Sequence, residues 1–157
     1  VTCVEDFVTP ENVAEILEPG FDVVIDAIDQ ARAKVAMIAH CRRQGTAIVV
    51  AGAAGGQTDP TQVRIGDLAT TIQDPLLARV RSLLRRDHGF PRGPGKKFGV
   101  PAVFSTEALR APPLQAACAT TGGAGGLSCA GFGSSVCVTS VFGMAAAAHA
   151  IQLLVNE

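Results

Sequence analysis

The sequence contains no tryptophan and no tyrosine, so its aromatic content rests on seven phenylalanines. The side chains that most often stack on single-stranded bases are therefore scarce, and stacking would fall to Phe or Arg. Five cysteines are present, Cys3, Cys41, Cys118, Cys129 and Cys137, an odd number nowhere spaced as C-x-x-C. That pattern argues against a disulfide scaffold and against a zinc knuckle, and it fits a reducing, cytoplasmic compartment. His40, His88 and His149 stand far apart, with no H-x-x-x-H or H-E-x-x-H, which argues against a metal-hydrolase centre. An excess of charge is lacking too: 13 Lys+Arg face 14 Asp+Glu, a net charge of -1, so the chain is not a polyelectrolyte. The start, Val1 to Phe7, has no basic segment followed by an apolar one, hence no visible signal peptide, and it has no Met. It reads as a beginning inside a longer chain.

What is present is a core-forming composition. With 157 residues, 48% of them hydrophobic and 17% charged, the chain suits a single domain over residues 1–157. Charge is unevenly spread. Eight acids (Glu5, Asp6, Glu11, Glu15, Glu18, Asp22, Asp26 and Asp29) precede the first base, whereas Arg79, Arg81, Arg85, Arg86, Arg92, Lys96 and Lys97 crowd one segment opposed only by Asp87. Such a segment is either a docking surface for a polyanion or a solvated helix face followed by a loop. No charged residue lies between Arg110 and Glu157, so much of that stretch must be covered. Residues 136–155 are nearly long and apolar enough for a membrane span. Thr139, Ser140, Gly143, His149 and Gln152 interrupt them without flanking Lys or Arg, which favours a core or dimer-interface helix.

Local signals alternate between strand and helix. Thr9-Pro10-Glu11 reads as a helix entry, predicting a short helix to about Leu17 that Pro19-Gly20 stops. A strand is expected at 23–26, a helix at 30–43 ended by Gly45, and a strand at 46–50 opening into Gly52-Ala53-Ala54-Gly55-Gly56. Strand, helix and strand in about 30 residues make a βαβ unit with parallel strands. Further strands at 62–68 and 100–104 and a helix at 75–86 complete an α/β, Rossmann-like, mostly parallel sheet with an apolar C-terminal helix. Ligands of such sheets sit beyond the carboxyl ends of the strands, where Asp26, Asp29, Gly52 and Gly55 fall.

Three groups of residues could carry chemistry. Asp26-Ala27-Ile28-Asp29 with Arg32 and Lys34 places acids just past a strand and bases in the next turn, suited to Mg²⁺ and phosphate; Asp29 could equally cap the helix. The stretch from Ala51 to Thr61 matches neither G-x-x-x-x-G-K-[ST] nor G-x-G-x-x-G, and reads as either a flexible turn or a small-residue wall that lets a substrate approach the backbone. Cys129, in the Gly-rich stretch 122–133 before the last helix, is either a packed thiol or one activated as a nucleophile or persulfide carrier.

Five motifs in order resemble a known family: Asp6-Phe7-Val8-Thr9-Pro10, Val24 to Asp29, Gly55-Gly56-Gln57 with Asp59-Pro60-Thr61-Gln62, Thr71 to Leu76, and Phe104 to Leu109. Together they are similar to the tRNA threonylcarbamoyladenosine dehydratases. These belong to the ubiquitin-activating-type adenylating superfamily, beside the ThiF, MoeB and HesA proteins. The resemblance implies ATP-dependent adenylation of the threonylcarbamoyl carboxylate on adenosine 37 of tRNA, then ring closure as AMP leaves. It implies catalytic roles for Asp29, Lys34 and Cys129, with Asp26, Ala27, Asp29 and Lys34 around the nucleotide and Mg²⁺ on Asp29. Arg79, Arg85, Arg86, Lys96 and Lys97 would then face tRNA, and a homodimer is expected. ATP and Mg²⁺ are the implied cofactors, with room for K⁺ or Na⁺ and none for zinc. The family's G-x-G-G-x-G-S nucleotide loop and its arginine are missing, so the chain is expected to be the C-terminal part of one roughly 100 residues longer, inactive by itself. Two alternatives are a ThiF- or MoeB-like adenylyltransferase of a sulfur-carrier protein and a non-catalytic sulfur acceptor of a cysteine desulfurase.

Overall fold

The computed structural model describes residues 1–109 and 133–155; Cys118 and Cys129, with the rest of 110–132, lie outside the described residues. Helix α1 spans Val13–Ile16, shorter than expected. Thr9 does mark its entry, since Thr9 Oγ1 accepts from the Glu11 and Asn12 N–H groups at 3.3 Å and Asn12 Oδ1 accepts from Thr9 N at 2.7 Å. These reciprocal bonds satisfy the first N–H groups in a turn over 10–12, so no helical first turn is needed there.

Strand β1 (Val23–Asp26), helix α2 (Ala31–Gln44) and strand β2 (Ala47–Ala51) form the expected βαβ unit, β1 and β2 running parallel with Asp26 opposite Val50. Gly45 ends α2 in the left-handed conformation at φ 75°, its N–H returning to the Cys41 carbonyl, a geometry that a Cβ would strain. No side chain caps the start of α2, so Asp29 does not serve as its cap. Strand β3 (Val63–Asp67), helix α3 (Pro75–Asp87), strand β4 (Pro101–Ser105) and helix α4 (Val136–Val155) follow. The sheet order is β1-β2-β4-β3, with β4 parallel to β2 and β3 antiparallel to β4 at the far edge.

Two cores flank the sheet because alternate strand residues point to opposite faces. Val24, Ile48, Val50, Ala102 and Phe104 meet α2 and α3 through Val35, Ile38, Leu77, Val80 and Leu84. Val49 and Val103, on the opposite face, meet Val138, Phe142, Ala146 and Ala150 of α4. Strand β2, covered on both sides, is accordingly apolar throughout. The α4 layer is incomplete. Ile25 and Ile65 stay 45% and 42% exposed, and α4 presents Met144, Ile151 and Leu154 to solvent. By length and composition α4 could cross a membrane, yet Val138, Phe142, Ala146 and Ala150 are packed on the sheet.

Candidate active site

The carboxyl ends of β1 and β2 hold a charged group deep in the protein. Asp26, the last residue of β1, and Lys34, in the first turn of α2, are both fully buried, with Lys34 Nζ 3.1 Å from Asp26 Oδ1. Lys34 Nζ also donates to the Asp26 carbonyl at 3.3 Å, and Ile28 N donates to Asp26 Oδ1 at 3.0 Å. Asp26 Oδ2 has no partner. Burial pushes the Asp26 carboxyl up and the Lys34 ammonium down, and each opposes the shift of the other through their mutual attraction. One lysine thereby pins both the carboxylate and the carbonyl that close β1, fixing where residues 27–30 leave the sheet.

A second carboxylate adds to this corner. Asp74 is buried and caps α3, Oδ1 accepting from Leu77 N and Oδ2 from Ala53 N, both at 2.9 Å. It ties the start of α3 to the loop after β2. A Cβ on Gly52 would overlap Asp74 Oδ2 and lie 3.0 Å from Leu77 Cδ1, so glycine is required there for space. Burial raises the Asp74 carboxyl despite these bonds and the attraction of Lys34. Gln73, just before it, holds a left-handed φ of 54°, a conformation that costs a non-glycine residue about 1 kcal/mol.

The loop continues to Gln57, 1% exposed, whose Nε2 and Oε1 both lack partners. Its backbone is firmly seated. Glu107, beyond β4, accepts from Thr58 N and Asp59 N at 2.9 Å and from Thr58 Oγ1 at 3.2 Å, while Gly56 N donates to Gly133 O at 2.9 Å.

The basic segment is built differently. Asp67 ends β3 and accepts from Phe98 N and Gly99 N at 2.9 and 2.7 Å, anchoring the loop that carries Lys96 and Lys97. Phe90 and Phe98 pack edge to face at 4.9 Å beneath it, with Arg42 4.3 Å above the Phe90 ring and Arg85 5.1 Å from the Phe98 ring. Arg79, Arg86, Arg92, Lys96 and Lys97 are exposed, while Arg85 is half-buried. Arg86 pairs with Asp87 at 2.6 Å on the surface.

The structure thus brings Asp26 and Lys34 into contact, leaves Ala27 and Asp29 exposed on the adjoining loop, and places Arg79, Arg85 and Arg86 on α3 and Lys96 and Lys97 on the loop that follows it. Cys129 lies outside the described residues. Sequence reasoning missed Asp74 as part of the charged corner and Gln57 as an enclosed amide. Asp74-Pro75 before an apolar run was a cap signal for the first; nothing local marks the second.

A mostly parallel α/β sheet with buried charges at the carboxyl ends of its strands defines a Rossmann-like domain. The chain belongs to the ThiF family, whose pattern matches residues 1–157. It is 48% identical over 162 residues to an Escherichia coli protein and 45% identical over 158 residues to a Haemophilus influenzae protein, both named tRNA threonylcarbamoyladenosine dehydratase. All of this chain is matched in each case, but only 60% and 59% of those relatives. The crystal structure of the E. coli enzyme, TcdA, in complex with ATP superposes with a TM-score of 0.83 at 45% identity, covering 99% of this chain and 57% of that one.

Proposed function

We propose that the chain is part of an ATP-dependent tRNA threonylcarbamoyladenosine dehydratase that cyclises N6-threonylcarbamoyladenosine at position 37 of tRNA through an acyl-adenylate. The observation that carries this reading is the Lys34-braced exit of β1, which presents Asp29 at the carboxyl edge of a sheet shared with an ATP-bound relative. In the proposed reaction a substrate carboxylate oxygen attacks the α-phosphorus of ATP and pyrophosphate leaves. An internal nucleophile then attacks the acyl carbon and AMP carries the oxygen away, so the adenosine loses the elements of water.

Asp29 is exposed and free to meet Mg²⁺, which would neutralise the phosphates as pyrophosphate departs. Among the described residues no group of three or more His, Cys, Asp or Glu gathers as a ready-made metal site. Mg²⁺ binds through one or two carboxylates plus phosphates and water. Lys34, enclosed by Asp26, acts as a positioning residue for the loop; a K⁺ or Na⁺ ion belongs to the same proposal. Arg79, Arg92, Lys96 and Lys97 supply exposed charge for tRNA phosphates. The bare apolar strip of α4, with Ile25 and Ile65, supports a homodimer, and the scarcity of paired cysteines supports a cytoplasmic setting. A cysteine desulfurase is a secondary partner, tested by looking for a persulfide on Cys129.

Since 40% or so of the relatives' length has no counterpart here, activity is best tested on both the 157-residue segment and a longer chain that includes a G-x-G-G-x-G-S loop. Mass spectrometry of tRNA nucleosides should show ATP-dependent loss of one water from the modified adenosine with the longer chain alone. No mass change with either would shift the reading to adenylation of a carrier protein.

A further inference from the structure

A buried carboxamide with neither end satisfied is unusual, because each unpaired donor or acceptor costs about 1–3 kcal/mol and native proteins leave few of them. Gln57 is such a group. It is 1% exposed, and both Nε2 and Oε1 lack partners. Its position is not a slack loop, since Glu107 holds the next two N–H groups and Gly133 O holds the preceding one. The chain therefore fixes the Gln57 backbone on both sides while leaving its amide unspent. Gln57 also follows the Gly52–Gly56 turn at the carboxyl end of β2, on the same sheet edge as Asp26 and Asp29.

We infer that Gln57 is a specificity-determining residue whose amide pairs, donor to acceptor and acceptor to donor, with a planar edge carrying both functions on the bound substrate. This rests on the dehydratase reading above. Two groups in the proposed reaction present such an edge: the ureido linkage of the threonylcarbamoyl adenosine and the adenine of ATP, which glutamine reads bidentately through adjacent ring and exocyclic nitrogens. A site built to pair with such an edge rejects ligands that lack it, because the buried amide then stays unpaired.

The test compares wild type, Gln57→Leu and Gln57→Glu in the full chain. Melting temperature is measured first, then the Kd for Mg²⁺-ATP, and then the Kd for tRNA with and without the threonylcarbamoyl group. If the amide serves the ligand, Gln57→Leu keeps or raises the melting temperature, since an apolar near-isostere removes the unpaired polar atoms. It should also weaken one ligand at least tenfold. A rise in the ATP Kd alone assigns the amide to the nucleotide. A loss of preference for modified over unmodified tRNA, with ATP affinity intact, assigns it to the ureido group. Gln57→Glu, which loses the donor, should fail in the same arm. The inference is overturned if Gln57→Leu melts lower, as a structural amide would, or if neither Kd moves. A wild-type protein that binds ATP but ignores the threonylcarbamoyl group on tRNA would overturn the dehydratase reading instead, leaving the ATP arm to decide the role of Gln57.

Discussion

The Asp26, Lys34 and Asp74 corner and the Arg79 to Lys97 segment are both charged, yet they use charge in opposite ways. In the corner the groups are buried, matched to backbone donors and acceptors, and pushed by burial toward their neutral forms. In the segment Arg79 stands in solvent on α3, and Arg92, Lys96 and Lys97 stand in solvent on a loop pinned by Asp67. Buried charge is costly to disturb. Exposed charge costs little, is screened by salt, and suits a polyanion read by shape. The buried corner and the exposed basic segment should thus respond separately to mutation.

The largest break should come from Lys34→Met. Removing the ammonium leaves Asp26 buried without its counter-charge, which typically destabilises by about 3–5 kcal/mol. Calorimetry should show a drop in melting temperature of about 10 °C for a domain of this size. The double variant Asp26→Leu with Lys34→Met should recover much of it, because a buried pair replaced by apolar groups is often near neutral. Equal loss in the single and double variants would show that packing, and not charge, holds this corner. Gly52→Ala comes next. Its Cβ collides with Asp74 Oδ2, and displacing a cap that serves both Leu77 and Ala53 should cost about 1–3 kcal/mol by denaturant unfolding.

How much of this could be read in the sequence differs between the same two regions. Strong local punctuation carried the framework: Gly45, Pro75 and the strand runs put β1, α2, β2, α3 and β4 within about two residues of their observed bounds. The basic segment was visible as composition. Its anchoring was not, because Asp67 and Phe98 meet across 31 residues and no local pattern encodes that bond. The corner was harder still. Asp29 and Lys34 stand in one motif, but nothing in their spacing shows that the ammonium reaches back eight residues to Asp26. Asp74 joins from 40 positions beyond Lys34, supplying attraction that only the fold creates. Helix α4, uncharged and with its few polar residues scattered around it, lacked a polar face to orient it, so its half-exposed packing could not be inferred from periodicity.

On the exposed side, Lys96→Glu with Lys97→Glu should weaken tRNA binding and lower its salt slope by about 2, one unit per phosphate contact, while stability moves by less than about 0.5 kcal/mol. Arg85→Glu sharpens the contrast. Its guanidinium lies near the Phe98 ring and donates to the Pro91 carbonyl, so it should lose stability as well as affinity. If the lysine pair leaves tRNA affinity unchanged across a salt titration, the basic segment is only a solvated surface.

The corner should also leave a trace in the pH dependence of folding. Asp74 binds its proton more tightly in the folded chain than at its ordinary value of 3.8, so the folded state holds more protons through the window above that value. Stability conferred on the protonated form is present at the acid end and is lost as pH rises through the folded value. Urea unfolding of wild type and Asp74→Asn at stepped pH between about 4 and 7 should therefore give a shallower downward slope in the variant, beneath a uniform loss from the weakened cap. The Lys96 and Lys97 reversals, whose side chains are exposed, should leave that slope unaltered. A slope that shifts equally in all of these variants would mean that the pH response belongs to the net charge of the chain, and that the corner is not electrically set apart from the surface.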